Sequence, residues 1–193
     1  MFLIVGLGNP GRPYNNNRHN IGYKVIDEIK DIYNFPKYVK KFNYEFSKSE
    51  VDGNIIFLLK PTTYMNNSGL AVKEFKDFYK IDTNKIYVIH DEIDLDQGRV
   101  KVKIGGGHNG HNGLKNIDQN IGKDYNRVRI GVSRPSKLYE NNINENISSW
   151  VLSDFSSDEK NKRVDDTINK VSKNISSLIK NEDVFLKQEI TDN

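Results

Sequence analysis

Phe2-Leu-Ile-Val-Gly-Leu-Gly-Asn-Pro-Gly11 opens the chain with an apolar run that enters three glycines. Four large apolar residues stopped by glycine read as a short buried strand, and the glycines beyond it as a tight turn. The spacing matches G-x-G-x-x-G directly after a strand, which invites a dinucleotide-binding reading. The context argues against it. That fingerprint needs a helix opening at its third glycine, whereas Pro13 and Asn15-Asn16-Asn17 intervene before helical periodicity begins. The turn reads instead as a device that brings backbone and the Asn9 amide to a cleft at the carboxyl end of the first strand, where open α/β sheets bind ligands.

Outward from that turn, Ile21, Val25, Ile29 and Ile32 recur at helical spacing and stop before Phe35-Pro36. Tyr44 and Phe46, then Ile55 to Leu59, flank Asp52-Gly53-Asn54 and predict a hairpin. Asn67-Ser68-Gly69 offers an N-cap to a helix whose Ala71, Phe75 and Phe78 share a face. Ile86 to Ile89 predicts a second buried strand, stopping at His90-Asp91. Val100, Val102 and Ile104 alternate with Lys101 and Lys103, and Val128, Ile130 and Val132 with Arg127, Arg129 and Ser133, so two alternating strands turn their cations outward. Between them lie a glycine loop and a short helix through Leu114, Ile117 and Ile121. A stripe at Val164, Ile168, Val171, Ile175 and Leu178 predicts a C-terminal helix over about 157–181, opened by a capping box from Ser156 to Glu159. Residues 137–146 are polar and turn-prone, a loop or lid. Interleaved strands and helices with one antiparallel hairpin predict an α/β fold: one domain over residues 1–193, with a mixed, twisted central sheet flanked by helices on both faces.

The chain has no cysteine, which excludes a disulfide scaffold, a thiolate zinc site, an iron-sulfur cluster and a cysteine nucleophile. Its apolar runs are far shorter than the ~20 residues of a membrane span, and Met1-Phe-Leu-Ile-Val-Gly6 lacks the basic start of a signal peptide. A cytoplasmic protein with no membrane partner is expected. The net charge of +3 is unevenly spread: residues 1–150 carry 22 Lys+Arg against 17 Asp+Glu, and residues 151–193 carry 7 against 9. Arg99 to Lys137 alone holds nine basic residues, two acids and four of the seven arginines. Arginine pairs bidentately with phosphate, so a polyanion is a candidate partner for this window.

All four histidines lie beside irregular glycine- or asparagine-rich segments: His19 in Arg18-His-Asn20, His90 before Asp91, and His108 and His111 within Gly105 to Gly113. One chemistry they allow is a metal site, since His90, His108 and His111 with Asp91, Glu92 and Asp94 supply enough ligands. Histidines three apart in a glycine loop are poorly preorganised for it, and no H-E-x-x-H is present. The other chemistry is general base catalysis. Histidine can take a proton from water near neutral pH if a carboxylate fixes its tautomer, and His19 with Asp91 would serve, each near the carboxyl end of a strand. An acyl-transfer oxyanion then needs neutral donors, for which Asn9, Asn20, Asn66, Asn67, Asn109 and Asn112 are available. No G-x-S-x-G elbow exists to supply a serine nucleophile.

Taken together, Gly6-Leu-Gly-Asn-Pro-Gly11, Tyr14, Arg18-His-Asn20, Lys60-Pro-Thr-Thr-Tyr-Met-Asn-Asn-Ser-Gly69, His90-Asp-Glu-Ile-Asp-Leu95, Gly105 to Leu114 and Arg127-Val-Arg-Ile-Gly131 strongly resemble bacterial peptidyl-tRNA hydrolase. The resemblance runs from Met1 through Trp150-Val-Leu-Ser-Asp-Phe155. It implies hydrolysis of the ester between peptide and tRNA by water, with tRNA as partner, a monomeric state, and no metal or cofactor. It further implies His19 as the base, Asp91 as the carboxylate that orients it, and Asn9 and Asn112 as groups that position substrate or polarise the ester carbonyl. Met65, Asn66 and Tyr14 would line the peptide and ribose side with His111, and Lys103 and Arg129 would clamp a tRNA phosphate. Two positions depart from the family pattern: Asp96-Gln97 stands where proline is usual, and Ser133 where glycine is. His108 falls at a variable family position and takes no role. A hydrolytically idle RNA-binding relative and a metal-dependent phosphoesterase remain as alternatives, the second open to a chelator test.

Overall fold

The computed structural model describes residues 1–135, 143–157 and 163–180. Four parallel strands form the centre of one sheet: β1 (Phe2–Gly6), β4 (Asn54–Pro61), β5 (Ile86–Glu92) and β7 (Asn126–Gly131). Antiparallel strands flank them, β2 (Val39–Lys40) and β3 (Tyr44–Val51) on one side and β6 (Val100–Ile104) on the other. The order is β2-β3-β4-β1-β5-β7-β6. The opening apolar run is therefore the middle strand, with Val5 paired to Leu59 on one side and Val88 on the other. Burial on both faces explains its unbroken apolar character. The hairpin turns at Asp52 and Gly53, whose φ angles of 49° and 77° make the two-residue turn that matches strand twist.

Helices cover both faces. On one, α1 (Ile21–Ile32) packs Val25, Ile26 and Ile29 over Ile4, Ile56 and Ile89, and is itself covered by Ile168 and Val171 of α5 (Asp165–Lys173) and by Leu178 of α6 (Ile175–Lys180). On the other, Ala71, Val72 and Phe75 of α2 (Ser68–Tyr79) and Leu114 and Ile117 of α3 (Asn112–Ile121) pack over Leu3, Val5, Phe57 and Val88. Each such large side chain contributes about 1.5–3 kcal/mol on burial, so the two cores fix which face every helix takes. The α/β architecture with a mixed sheet and two helical layers is as the sequence implies.

Several local expectations are corrected. β5 does not stop at His90 but runs on through Asp91 and Glu92, because pairing with Arg129, Ile130 and Gly131 of β7 continues to the strand's end. Phe78 is 74% exposed, since the buried stripe of α2 centres on Phe75, which packs among the rings of Tyr44, Phe46 and Phe57. Asn67 occupies the N-cap of α2 without a side-chain cap bond. The single C-terminal helix expected over 157–181 is interrupted at Asn174, between α5 and α6. Within the expected lid, Ile143 starts a helix, α4 (Ile143–Val151), and residues 136–142 lie outside the described residues, as does Glu159 of the expected capping box.

Candidate active site

The carboxyl ends of β1, β4 and β5 open on the same side of the sheet; the segments leaving β1 and β4 carry Asn9 and Met65 with Asn66, and β5 carries Asp91 near its own end. His19 arrives on a 3-10 turn, Arg18–Asn20, directly before α1. Its position is set by backbone packing: a Cβ on Gly22 would lie 2.4 Å from both Leu7 N and Ile89 O, so only glycine lets α1 come this close. Tyr23 N–H also donates to Leu7 O at 3.2 Å.

Three imidazoles surround Asp91. His19 Nδ1 lies 2.7 Å from Asp91 Oδ1, with both residues buried. His111 Nε2 lies 3.1 Å from the same oxygen. His111 is the N-cap of α3 and its Nδ1 accepts the N–H of Leu114 at 3.3 Å, which places the ring proton on Nε2, facing the carboxylate. Asp91 Oδ1 thus lies within hydrogen-bond distance of both rings, and the neutral His19 tautomer that donates to it from Nδ1 has its lone pair on Nε2. Burial pushes the Asp91 carboxyl upward, but His19 and His111 outweigh it and hold the group well below the usual carboxylate range. His90 turns to the other side, where Nδ1 donates to the Asp91 carbonyl at 2.7 Å. Burial, then proximity to His111, pushes this imidazole down to about 3, so it is neutral at physiological pH.

Asn9 is held at three points. Its Oδ1 accepts from Met65 N–H at 2.8 Å, its N–H donates to Asn20 Oδ1 at 2.9 Å, and its carbonyl accepts from Asn20 Nδ2 at 2.9 Å. With the oxygen taken, Nδ2 is the group Asn9 can offer to a ligand. A cleft of about 800 Å³ is lined by Asn9, His19, Met65, Asn66, Asp91, His111 and Asn112, so the sequence-derived residues converge there. Its apolar side, Tyr64, Ile93, Ile147, Val151 and Leu152, was not anticipated from sequence. Tyr14 is set back from the lining, edge-on to Tyr64 with ring centroids 6.4 Å apart.

The basic strands are only partly outward. Arg127 is fully buried, pairs with Asp118 at 2.8 Å and donates to the Gly107 carbonyl at 2.8 Å, so it anchors the glycine loop that delivers His111. The expectation that it faces solvent fails because α3 and the loop fold over this face of β7. Arg129 is half-buried and its Nε donates to Glu92 Oε2 at 3.0 Å. Lys103 lies beside both guanidiniums, and burial followed by Arg129 and Arg127 pushes its ammonium down. Neither Lys103 nor Arg129 lines the cleft.

A family model, peptidyl-tRNA hydrolase, matches residues 3–192. The chain is 46% identical over 191 residues to the peptidyl-tRNA hydrolase of Bartonella henselae, covering 99% of this chain and 95% of that one. It is 49% identical over 166 residues to that of Aliarcobacter butzleri, covering 86% and 85%. The chain belongs to the peptidyl-tRNA hydrolase family. A crystal structure of peptidyl-tRNA hydrolase from Acinetobacter baumannii superposes with a TM-score of 0.89 at 34% identity, covering 99% of this chain and 95% of the other.

The two positions that the sequence reading set apart from the family pattern, Gln97 and Ser133, meet in space. Ser133 takes a left-handed backbone with φ of 57°, which glycine adopts without strain. Its Oγ accepts the N–H of Gln97 at 2.9 Å, a donor that proline would lack. For metal ions, the one convergent donor group among the described residues is His19, Asp91 and His111, with ligand atoms within 4.8 Å of one another. The ring nitrogens facing Asp91 stand at hydrogen-bond distance from its oxygen, so an ion would have to displace both ring protons. The alternative cluster around His90 and His108 does not converge: His90 points to backbone, and His108 Nδ1 accepts the Gly110 N–H at 3.1 Å.

Proposed function

We propose that this member of the peptidyl-tRNA hydrolase family cleaves the ester between peptide and tRNA with water as nucleophile and His19 as general base. The observation that carries it is the bond between His19 Nδ1 and a buried, ionised Asp91 in a residue pair that lines the cleft, the geometry in which a neutral ring keeps its lone pair on Nε2. Nε2 takes a proton from water as the oxygen attacks the ester carbon, and Asp91 stabilises the imidazolium that forms. Asn9 Nδ2 and the Asn112 amide donate to the developing oxyanion. On collapse, the imidazolium returns its proton to the departing ribose oxygen, and the base is regenerated. No step needs a metal or cofactor.

Met65, Asn66, Tyr64 and, behind it, Tyr14 form the side along which the ester's two halves lie. Lys103 and the outer part of Arg129 are the phosphate contacts on tRNA, at a distance from the chemistry. Among the described residues no helix is long and apolar enough to cross a membrane. We place the protein in the cytoplasm, acting as a monomer. The test is release of peptide from N-acetylaminoacyl-tRNA. A His19→Ala variant should lose at least about a thousandfold in kcat, the scale of a missing general base and its orienting pair. Unchanged release by that variant, or abolition by EDTA with recovery on zinc, would overturn the mechanism, and no release by the parent would favour an idle RNA-binding relative.

A further inference from the structure

Arg18 is only 3% exposed and lies next to His19, away from the basic strands. A buried guanidinium carries a desolvation cost that must be met by specific partners. One segment supplies several of them. The guanidinium carbon sits 3.6 Å from the centroid of Trp150 and 5.1 Å from that of Phe155. Nη1 donates to Ser153 Oγ at 2.7 Å, to Ser153 O at 3.2 Å and to Asp154 O at 2.7 Å. The backbones join as well: Arg18 N–H donates to Ser153 O at 3.1 Å, and Asn17 bridges Asp154. Trp150 Nε1 donates onward to Ser133 O at 2.8 Å.

This segment is the end and continuation of α4, whose Ile147 and Val151, with Leu152 beyond it, face the cleft. We infer that Arg18 is a positioning residue for the acyl group of the substrate: it seats α4 as the apolar wall of the cleft and ties that wall to the turn bearing His19. The inference rests on the reading of the cleft as the ester site. A guanidinium can stack its plane on the indole while Nη1 reaches the Ser153 and Asp154 oxygens at its edge, and lysine has no such plane, so lysine cannot replace it. The His19–Asp91 bond is built separately, from β5 and the close approach of α1. Loss of the clasp should therefore weaken substrate binding more than the chemical step.

Trp150 is the single tryptophan of the chain, so its emission reports the seat of α4. In Arg18→Lys, the emission should shift to the red, KM for N-acetylaminoacyl-tRNA should rise about tenfold, and kcat should stay within about threefold. Unchanged emission, unchanged KM, or a fall in kcat alone would overturn the inference. Should Arg18→Lys fail to fold, Trp150→Ala removes the stacking surface and the bond to Ser133 while leaving the Arg18 bonds to Ser153 and Asp154, and the same rise in KM is expected; an unchanged KM overturns the inference there too. A His19→Ala variant that kept its rate would overturn the reading of the cleft as well, whereas a failure confined to Arg18 and Trp150 overturns this inference alone.

Discussion

Replacing Asp91 by asparagine tests the centre of the site, because the amide keeps an oxygen where both rings donate and removes only the charge. Hydrogen bonds to a charged group contribute about 1.5–3 kcal/mol each. Two converge on Oδ1, but only the one from His19 strengthens as its ring becomes an imidazolium. The expected loss is therefore about 2–4 kcal/mol of transition-state stabilisation, or roughly 30- to 1,000-fold in kcat. The same substitution has a stability arm. The folded carboxyl is held below its unfolded range, so the ionised group contributes stability above the unfolded value of ~3.9, and that stability is lost as pH falls toward the lower folded value. The neutral amide of the Asp91→Asn variant carries no such contribution at any pH. The variant should be less stable than the parent at about pH 7, with the gap narrowing at about pH 3. Initial rates on N-acetylaminoacyl-tRNA and urea unfolding at both pH values measure the two arms. A rate within about threefold of the parent, or a stability gap that widens on acidification, would refute the assignment of Asp91.

Other substitutions separate surface from scaffold. Lys103→Ala and Arg129→Ala should weaken tRNA substrates and each flatten the salt dependence by about one phosphate contact, whereas Arg127→Ala, which takes the paired cation from the Asp118 carboxylate and leaves it the Tyr125 hydroxyl, should cost about 3 kcal/mol of stability. If the Lys103 or Arg129 variant lost equal activity on a minimal substrate without the tRNA body, the phosphate assignment would fall. At the left-handed Ser133, alanine keeps the strain and loses the acceptor for Gln97, while glycine loses the acceptor and relieves the strain. Thermal unfolding should therefore find Ser133→Ala less stable than Ser133→Gly by about 1 kcal/mol, and the reverse order would refute the coupling.

Much of this was legible before any coordinates. The apolar run at Phe2 to Val5 and the stripe at Val25 and Ile29 are burial signals, and burial is what places β1 in the sheet centre and α1 across it. His19, Asp91 and Asn9 could be paired on paper because each sits at a strand end or beside the glycine turn, and such ends share one rim. What stayed hidden depends on contacts between distant segments. Nothing local to His111 shows that its Nε2 meets Asp91, or that capping α3 fixes its tautomer. Arg127 and Arg129 look alike in an alternating strand, yet α3 closes over one and leaves the other half-buried. The apolar wall from α4 was missed because 143–146 reads as polar and turn-prone, while Ile147 and Val151 act only once Arg18 and Trp150 hold the helix in place.

Among the described residues β6 pairs with β7 alone, which leaves its other side an open sheet edge there. Such an edge can template pairing with a second chain, and Ile104 at its end is 65% exposed. Lys101 and Lys103 place two positive charges along it, which discourages edge-to-edge association of identical molecules. Lys103, proposed as a contact to a tRNA phosphate, would thus also help Lys101 keep the protein in solution, and a chain stripped of both should aggregate on concentration or during folding as well as lose affinity for tRNA.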